Sequence, residues 1–201
     1  DVNCPGNPAA WKRHAPVHKA ARRHRNEEDS GVTLQQQREV AEVQARIAAQ
    51  TGDAYDELMA ESARYASQQD MRRAARACRE AIALRPDAPA AYFNLGAALN
   101  NSGHYVEAAQ RFLEAKERYP VGSLAWAEVT AAAFSSLAQE ECAEVAKPEW
   151  WNDEGLKALS ARVVRAAPDD GMAQDMRALV LCGEYGALEL GPRSAAELRE
   201  A

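Results

Sequence analysis

The most constraining feature of this sequence is the spacing of large and small side chains in AYFNLGAALNNSGHYVEAAQRFLEAKERYP, Ala91–Pro120. Four residues keep the i, i+3, i+4, i+7 spacing of one helix face: Tyr92, Leu95, Gly96 and Leu99. A glycine inside a helix costs about 1 kcal/mol relative to alanine. Gly96 therefore indicates close approach of a second helix backbone.

The same segment contains a turn and that second helix. Gly103 suits the left-handed conformation of a tight turn, and Pro120 marks the end of the second helix. Its inner face is formed by Ala108, Phe112 and Ala115. Aromatic residues make up only 6% of a chain rich in alanine, which favours closely packed helices over a sheet core. We therefore expect an all-α protein.

The helix pair recurs along the chain. Pro86 lies 34 residues before Pro120, and the stretch before Pro86 repeats the layout. Its first helix carries Leu58, Ser62 and Tyr65, and its second helix carries Ala74, Cys78 and Ala81. One helix pair cannot bury its apolar faces alone, so successive pairs are expected to stack.

Residues 89–122 resemble a tetratricopeptide repeat, whose pattern is W-x2-L-G-x2-Y, then A-x3-F, then P, in about 34 residues. The positions that match or replace this pattern are Tyr92, Leu95, Gly96, Leu99, Ala108, Phe112 and Pro120. The resemblance implies a right-handed α-solenoid of antiparallel helix pairs, with a concave groove lined by the first helix of each pair.

The predicted organisation has three parts. A basic, irregular arm covers residues 1–32. A capping helix follows over 33–52, with a capping box at Thr33 and Gln36 and an apolar stripe of Val40, Val43 and Ile47 that packs on the first repeat. Helical repeats then fill 55–201, as units 55–88, 89–122, 123–168 with an insertion, and a partial unit 169–201.

The third unit is longer than the others by about 14 residues, because Pro168 follows Pro120 by 48 residues. We expect a lengthened first helix through SSLAQEECAEVAK and then a loop, PEWWND. The partial fourth unit is marked by Met172, Met176, Leu179 and Gly183. A capping box at Ser194 and Glu197 starts another helix, so the natural protein is expected to continue beyond Ala201.

The resemblance also implies which positions bind a partner. These are Asp56 and Met59 in the first repeat, Phe93, Asn94, Ala97, Asn100 and Asn101 in the second, and Leu124 and Glu128 in the third. Family members that bind acidic chaperone tails use a clamp of basic residues and asparagines. Only Asn94 remains of that clamp here, which disfavours such tails as partners.

Trp150 and Trp151 form a further candidate contact, because tryptophan is enriched in binding hot spots. Two interpretations are open. Either the pair faces a partner, or one tryptophan folds back over the lengthened helix.

Motifs for catalysis are absent from the sequence: it has no phosphate loop, nucleophile elbow or kinase signature. Three histidines lie in the arm, but Pro16 separates His14 from His18, so no metal site is expected. We expect neither a cofactor nor enzyme activity. Six basic residues against four acidic ones in residues 1–30 are weak support for nucleic-acid binding.

The four cysteines lie far apart, as expected of reduced thiols rather than a disulfide framework, and this favours a reducing intracellular compartment without saying which. No run of about 18 apolar residues is present, so no transmembrane segment is predicted.

The sequence therefore predicts an interaction scaffold or assembly subunit that binds a peptide or helix of another protein in the groove. The alternative is an accessory domain of an enzyme whose catalytic part lies beyond Ala201.

Overall fold

A computed structural model describes residues 35–36, 38–183 and 194 of the chain. Within these residues every regular element is helical, which confirms the expected all-α class for this part of the protein. Residues 38–51 form α1. The helices that follow are α2 Ala54–Ser67, α3 Met71–Leu84, α4 Pro89–Asn101, α5 Tyr105–Arg118, α6 Leu124–Leu137, α7 Asp153–Ala166 and α8 Gly171–Cys182, with a short 3-10 turn at Glu140–Cys142.

The helices from α2 to α8 pack in sequence order, each against the one before and the one after. Links of three to five residues join them, except for fifteen residues between α6 and α7. A short link between helices that pack along their length reverses the chain direction. In addition α6 contacts α8, and α2 contacts α4. These two pairs of alternate helices therefore lie beside one another.

Local signals in the sequence explain where most helices begin. Asp53, Asp70, Ser123, Asn152 and Asp170 each accept a hydrogen bond from a backbone N–H in the first turn of α2, α3, α6, α7 and α8, respectively. α4 instead begins with a proline at its first position, where the missing N–H costs nothing. The left-handed turn predicted at Gly103 is present, with φ of 78°.

Small side chains bring the helices of each pair close together. Ala74, Cys78, Ala108 and Ala115 are all essentially inaccessible to solvent. The close approach predicted at Gly96 is also present, but the ring of Phe112 makes it. The expectation that a helix backbone fills this space is corrected, because the aromatic side chain of α5 reaches across first.

An arginine lies over an aromatic ring in three successive helix pairs. The guanidinium carbon of Arg85 is 4.7 Å from the ring centre of Tyr55, that of Arg118 is 4.2 Å from Tyr92, and that of Arg162 is 5.2 Å from Trp126. Each contact links the second helix of a pair, or the residue that ends it, to the start of the first. The three helix pairs thus share the same arginine–aromatic contact between their two helices.

The prediction that the apolar stripe of α1 packs on the first repeat is wrong. Val40, Val43 and Ile47 are 51%, 52% and 46% exposed, whereas Ala41 and Ala48 are buried. The alanine face of α1 lines a crevice of about 490 Å³ together with Ala60 and other residues of α2. Alanine allows closer approach of two helices than valine or isoleucine does, so α1 packs through its smaller side chains.

The prediction of a lengthened first helix in the third unit is also wrong. α6 ends at Leu137 and has 14 residues, like α5 and α7. Side chains take up the carbonyl oxygens at its end: Gln139 Nε2 donates to the carbonyl of Ser135, and Lys147 Nζ donates to that of Leu137. The extra residues form a non-helical connection around the 3-10 turn.

The fourth unit matches its predicted pattern in part. Met176 is buried, Leu179 is half-buried and Gly183 ends α8 in the left-handed conformation, but Met172 is 44% exposed. Thr33, residues 1–32 and Glu197 lie outside the described residues.

Candidate partner-binding face

A hydrogen bond joins the first helices of two successive pairs. Ser136 Oγ of α6 donates to Asn100 Oδ1 of α4 over 3.0 Å. Together with the contact of α2 with α4, this bond brings α2, α4 and α6, the helices that carry the predicted partner-binding residues, beside one another. We call the surface that carries these residues the first-helix face.

The residues of α4 form the middle of the first-helix face. Phe93, Asn94, Ala97 and Asn100 are all half-buried, and Asn101 is exposed. The ring of Phe93 lies 5.7 Å from that of Phe112, at an angle of 53°. Phe93 is therefore fixed on one side by the core while part of its ring remains accessible.

The residues of α6 add an apolar and an acidic group. Leu124 is 57% exposed. Glu128 is half-buried, and its side chain makes no hydrogen bond or ion pair with the described residues. Burial, and then the negative charge of Asp170, raise the pKa of the Glu128 carboxyl. Burial and the charge of Glu128 likewise raise the pKa of Tyr119, so Asp170 and Tyr119 both lie near Glu128.

The two predicted residues of α2 differ in their access to solvent. Asp56 is half-buried and accepts a hydrogen bond of 2.9 Å from Thr51 Oγ1. Met59 is only 6% exposed and packs in a small core cluster with Tyr55, Ala81 and Ala91. Its side chain supports the first-helix face from below and offers little surface to a partner.

Both tryptophans of the insertion pack back on the protein. The ring of Trp151 lies 5.4 Å from buried Phe134 and 5.7 Å from the ring of Trp150. Both belong to the edge of the core cluster between α6, α7 and α8, and both remain half-buried rather than fully enclosed. The structure therefore places both, and not one, against the core.

Two lysines that the sequence interpretation missed hold this loop. Lys147 Nζ donates hydrogen bonds of 2.7 Å to the carbonyl oxygens of Leu137 and Cys142, and it lies 4.9 Å from the ring centre of Trp151. Lys116 Nζ of α5 lies 5.7 Å from the ring of Trp150. Burial lowers the pKa of both ammonium groups. The only sequence signal for these contacts was the position of Lys147, close to Trp150 and Trp151 in the chain.

No three His, Cys, Asp or Glu side chains come together as metal ligands in the described part of the chain. His104 is exposed at the start of α5, while Cys4, His14, His18 and His24 lie outside the described residues. None of the described helices is long and apolar enough to cross a membrane.

Comparisons with known proteins give no identification. No protein-family model matches the chain, and no curated protein matches it.

Proposed function

We propose that this chain is a non-catalytic interaction scaffold that binds a peptide or helix of another protein on the first-helix face. In this proposal the helix pairs form a right-handed solenoid of the tetratricopeptide type, and the first-helix face is its concave groove. The repeat pattern of residues 89–122, the packing of consecutive helices and the recurring arginine–aromatic contact support this architecture.

The observation that carries the proposal is the row of half-buried residues on α4 beside the Asn100–Ser136 bond. On α4 the partly exposed ring of Phe93 provides an anchor for a partner. The small side chain of Ala97 leaves room for it, and the asparagine amides provide hydrogen-bonding groups. Amide side chains pair with the backbone of an extended peptide, and Phe93 contacts an apolar side chain of it. Asn100 is already engaged by Ser136, so Asn94 and Asn101 are the amides that meet the partner.

The chemistry of the partner follows from α6. Leu124 offers an apolar contact, and Glu128 offers a carboxylate that no described cation neutralises. A partner with an apolar residue and a nearby lysine or arginine complements both groups. Trp150 and Trp151, half-exposed at the edge of the α6–α7 connection, provide the second contact of the scaffold.

A library of random displayed peptides, selected on the complete 201-residue chain, tests this proposal. Enriched peptides are synthesised, and their binding is measured by fluorescence polarisation. We expect Ala97→Glu and Leu124→Asp each to weaken binding by at least about tenfold, because both place a charge on the first-helix face.

Leu84→Asp is the matched control. Leu84 is 53% exposed, close to Leu124 in accessibility, but it lies at the end of α3 and not on a first helix. Peptides that bind wild type, Ala97→Glu and Leu124→Asp equally would refute the proposed site. Failure to enrich any peptide would refute peptide binding by this chain.

A further inference from the structure

The outer face of α1 is apolar, although α1 is the first described helix of the array. Val40, Val43 and Ile47 are each about half-exposed and lie on one face, away from the buried Ala41 and Ala48. Helices that cap stacked pairs ordinarily have a polar outer face. An exposed apolar stripe of this kind marks an interaction surface.

The spacing of the stripe is that of a helix seam. Val40 and Ile47 occupy equivalent positions seven residues apart, with Val43 between them, as in the a and d positions of a heptad. Gln36, exposed and helical, extends the seam by one position. Glu39 and Arg46 are also exposed and flank the seam on the same side, seven residues apart.

The charges of Glu39 and Arg46 indicate both which surface α1 packs against and the relative direction of the two helices. When two α1 helices pack antiparallel, Val40 of each copy meets Val43 of the other, Ile47 meets Gln36, and Glu39 faces Arg46 at both ends. In a parallel pair Glu39 would face Gln44, and Arg46 would face Thr51, without opposite charges. The surface is thus complementary to itself in the antiparallel direction.

We propose that two copies of this chain associate through antiparallel packing of their α1 helices along Val40, Val43 and Ile47. One pair of short helices buries less area than a standard protein interface, so the dimer is a weak one, with a dissociation constant in the micromolar range. This association does not depend on the first-helix face, and neither proposal falls with the other.

Analytical ultracentrifugation of the complete chain over a wide concentration range is the first test. We expect wild type to shift from monomer to dimer and Val43→Asp to weaken association by at least about tenfold, since it buries a charge in the seam. Leu84→Asp is the control for an added surface charge and should associate like wild type. A wild type that remains monomeric, or a Val43→Asp variant that associates normally, would overturn the proposal.

A charge exchange tests the direction of packing. Glu39→Arg and Arg46→Glu should each weaken the dimer, because each places like charges opposite one another. The double variant Glu39→Arg/Arg46→Glu should restore it. A double variant weaker than both single variants would contradict the pairing.

Disulfide trapping gives an independent readout in a Cys4→Ser/Cys182→Ser background. A mixture of Gln36→Cys and Ile47→Cys chains should form the mixed disulfide. Neither variant should crosslink to itself, because identical positions would lie about eleven residues, or about 16 Å, apart along the helix axis. Self-crosslinking without the mixed product would indicate parallel packing and overturn the proposed geometry.

Discussion

Gly96 of α4 lies against the ring of Phe112 of α5, so closely that a Cβ at Gly96 would be 2.7 Å from two ring carbons. Phe112 is 3% exposed and its ring also lies 5.7 Å from that of Phe93, so the ring has little room to move. Overpacking costs about 1–3 kcal/mol, and alanine recovers about 1 kcal/mol of helix propensity. We expect Gly96→Ala to lower the free energy of unfolding by about 1 kcal/mol in urea denaturation.

Two companion variants make this result specific. Gly171→Ala, in the first turn of α8, should be neutral or slightly stabilising, because nothing lies within 4 Å of its added Cβ. Phe112→Leu in the Gly96→Ala background should cost less than Phe112→Leu alone, since the smaller side chain relieves the contact. Additive effects would show that crowding at Phe112 is not the cause.

Gly155 is crowded by backbone instead of a side chain. A Cβ there would lie 2.5 Å from the carbonyl oxygen of Trp150 and 3.0 Å from its Cα. Gly155→Ala therefore requires movement of the tryptophan loop, and we expect a loss of about 2 kcal/mol or more. Tryptophan fluorescence should change in the folded state as well. A stable variant with an unchanged spectrum would contradict the described loop.

The sequence indicated the helix pairs correctly because their signals are local: glycine and proline at the turns, and small side chains at fixed intervals on each face. The predicted packing of α1 was wrong, because the apolar periodicity favoured the face with valine and isoleucine. The face with alanine packs more closely and is the one that is buried. The sequence prediction also failed at the end of α6, where the deciding contact comes from Lys147, ten residues away. Local helix preference contains no information about such a contact.

The candidate site was predictable to a lesser extent. The positions on α4 are partly accessible, as a binding face needs. Met59 is buried because Ala81 and Ala91 of two other helices pack near it, and a motif alignment cannot reveal that. Whether these residues bind a partner remains the proposal that the peptide experiment tests.

Arg118 shows why the arginine–aromatic contacts are specific for arginine. Besides lying over the ring of Tyr92, its guanidinium donates hydrogen bonds to the carbonyl oxygens of Glu114 and Pro86. Lysine cannot stack and make both bonds at once. We expect Arg118→Lys to destabilise the fold by about 1 kcal/mol, measured by thermal unfolding. Arg72→Lys, at an exposed position of α3, should be neutral, and equal effects would refute the role of stacking.

Glu128 should make stability depend on pH. Its folded-state pKa is raised above the ordinary value of 4.5 by burial and by Asp170. The folded chain therefore holds this proton more tightly than the unfolded chain, and stability falls as pH rises from 4.5 through the raised pKa. Glu128→Gln should be more stable than wild type above this window, by less than about 1 kcal/mol because the group is partly exposed.

The two stability curves should converge below pH 4.5, where Glu128 is protonated in both states. Asp170→Asn keeps a good N-cap for α8 and removes one cause of the shift. It should lower the pKa of Glu128, as followed by NMR titration of the carboxyl carbon. An unchanged titration would mean that the two groups do not interact.

Cys78 should resist alkylation in the folded protein. Burial raises the pKa of its thiol to about 11, although a hydrogen bond with Ser62 opposes the shift. Since the thiolate is the reactive form, iodoacetamide near neutral pH should modify exposed Cys182 well before Cys78. Peptide mass spectrometry resolves the two sites, and urea should abolish the difference. Rapid native labelling of Cys78 would be incompatible with the packing of α2 on α3.

The connection between α6 and α7 has a consequence for engineering. Its fifteen residues lie between two helices of ordinary length, so they add chain without displacing either helix from its neighbours. Lys147 and Trp151 fasten the later part of the connection, and exposed residues such as Glu140, Glu141 and Glu144 precede them in the chain. We expect foreign peptides or reporter tags inserted at this exposed segment to leave the packing of the helices unchanged. The connection is therefore a suitable insertion site for redesign.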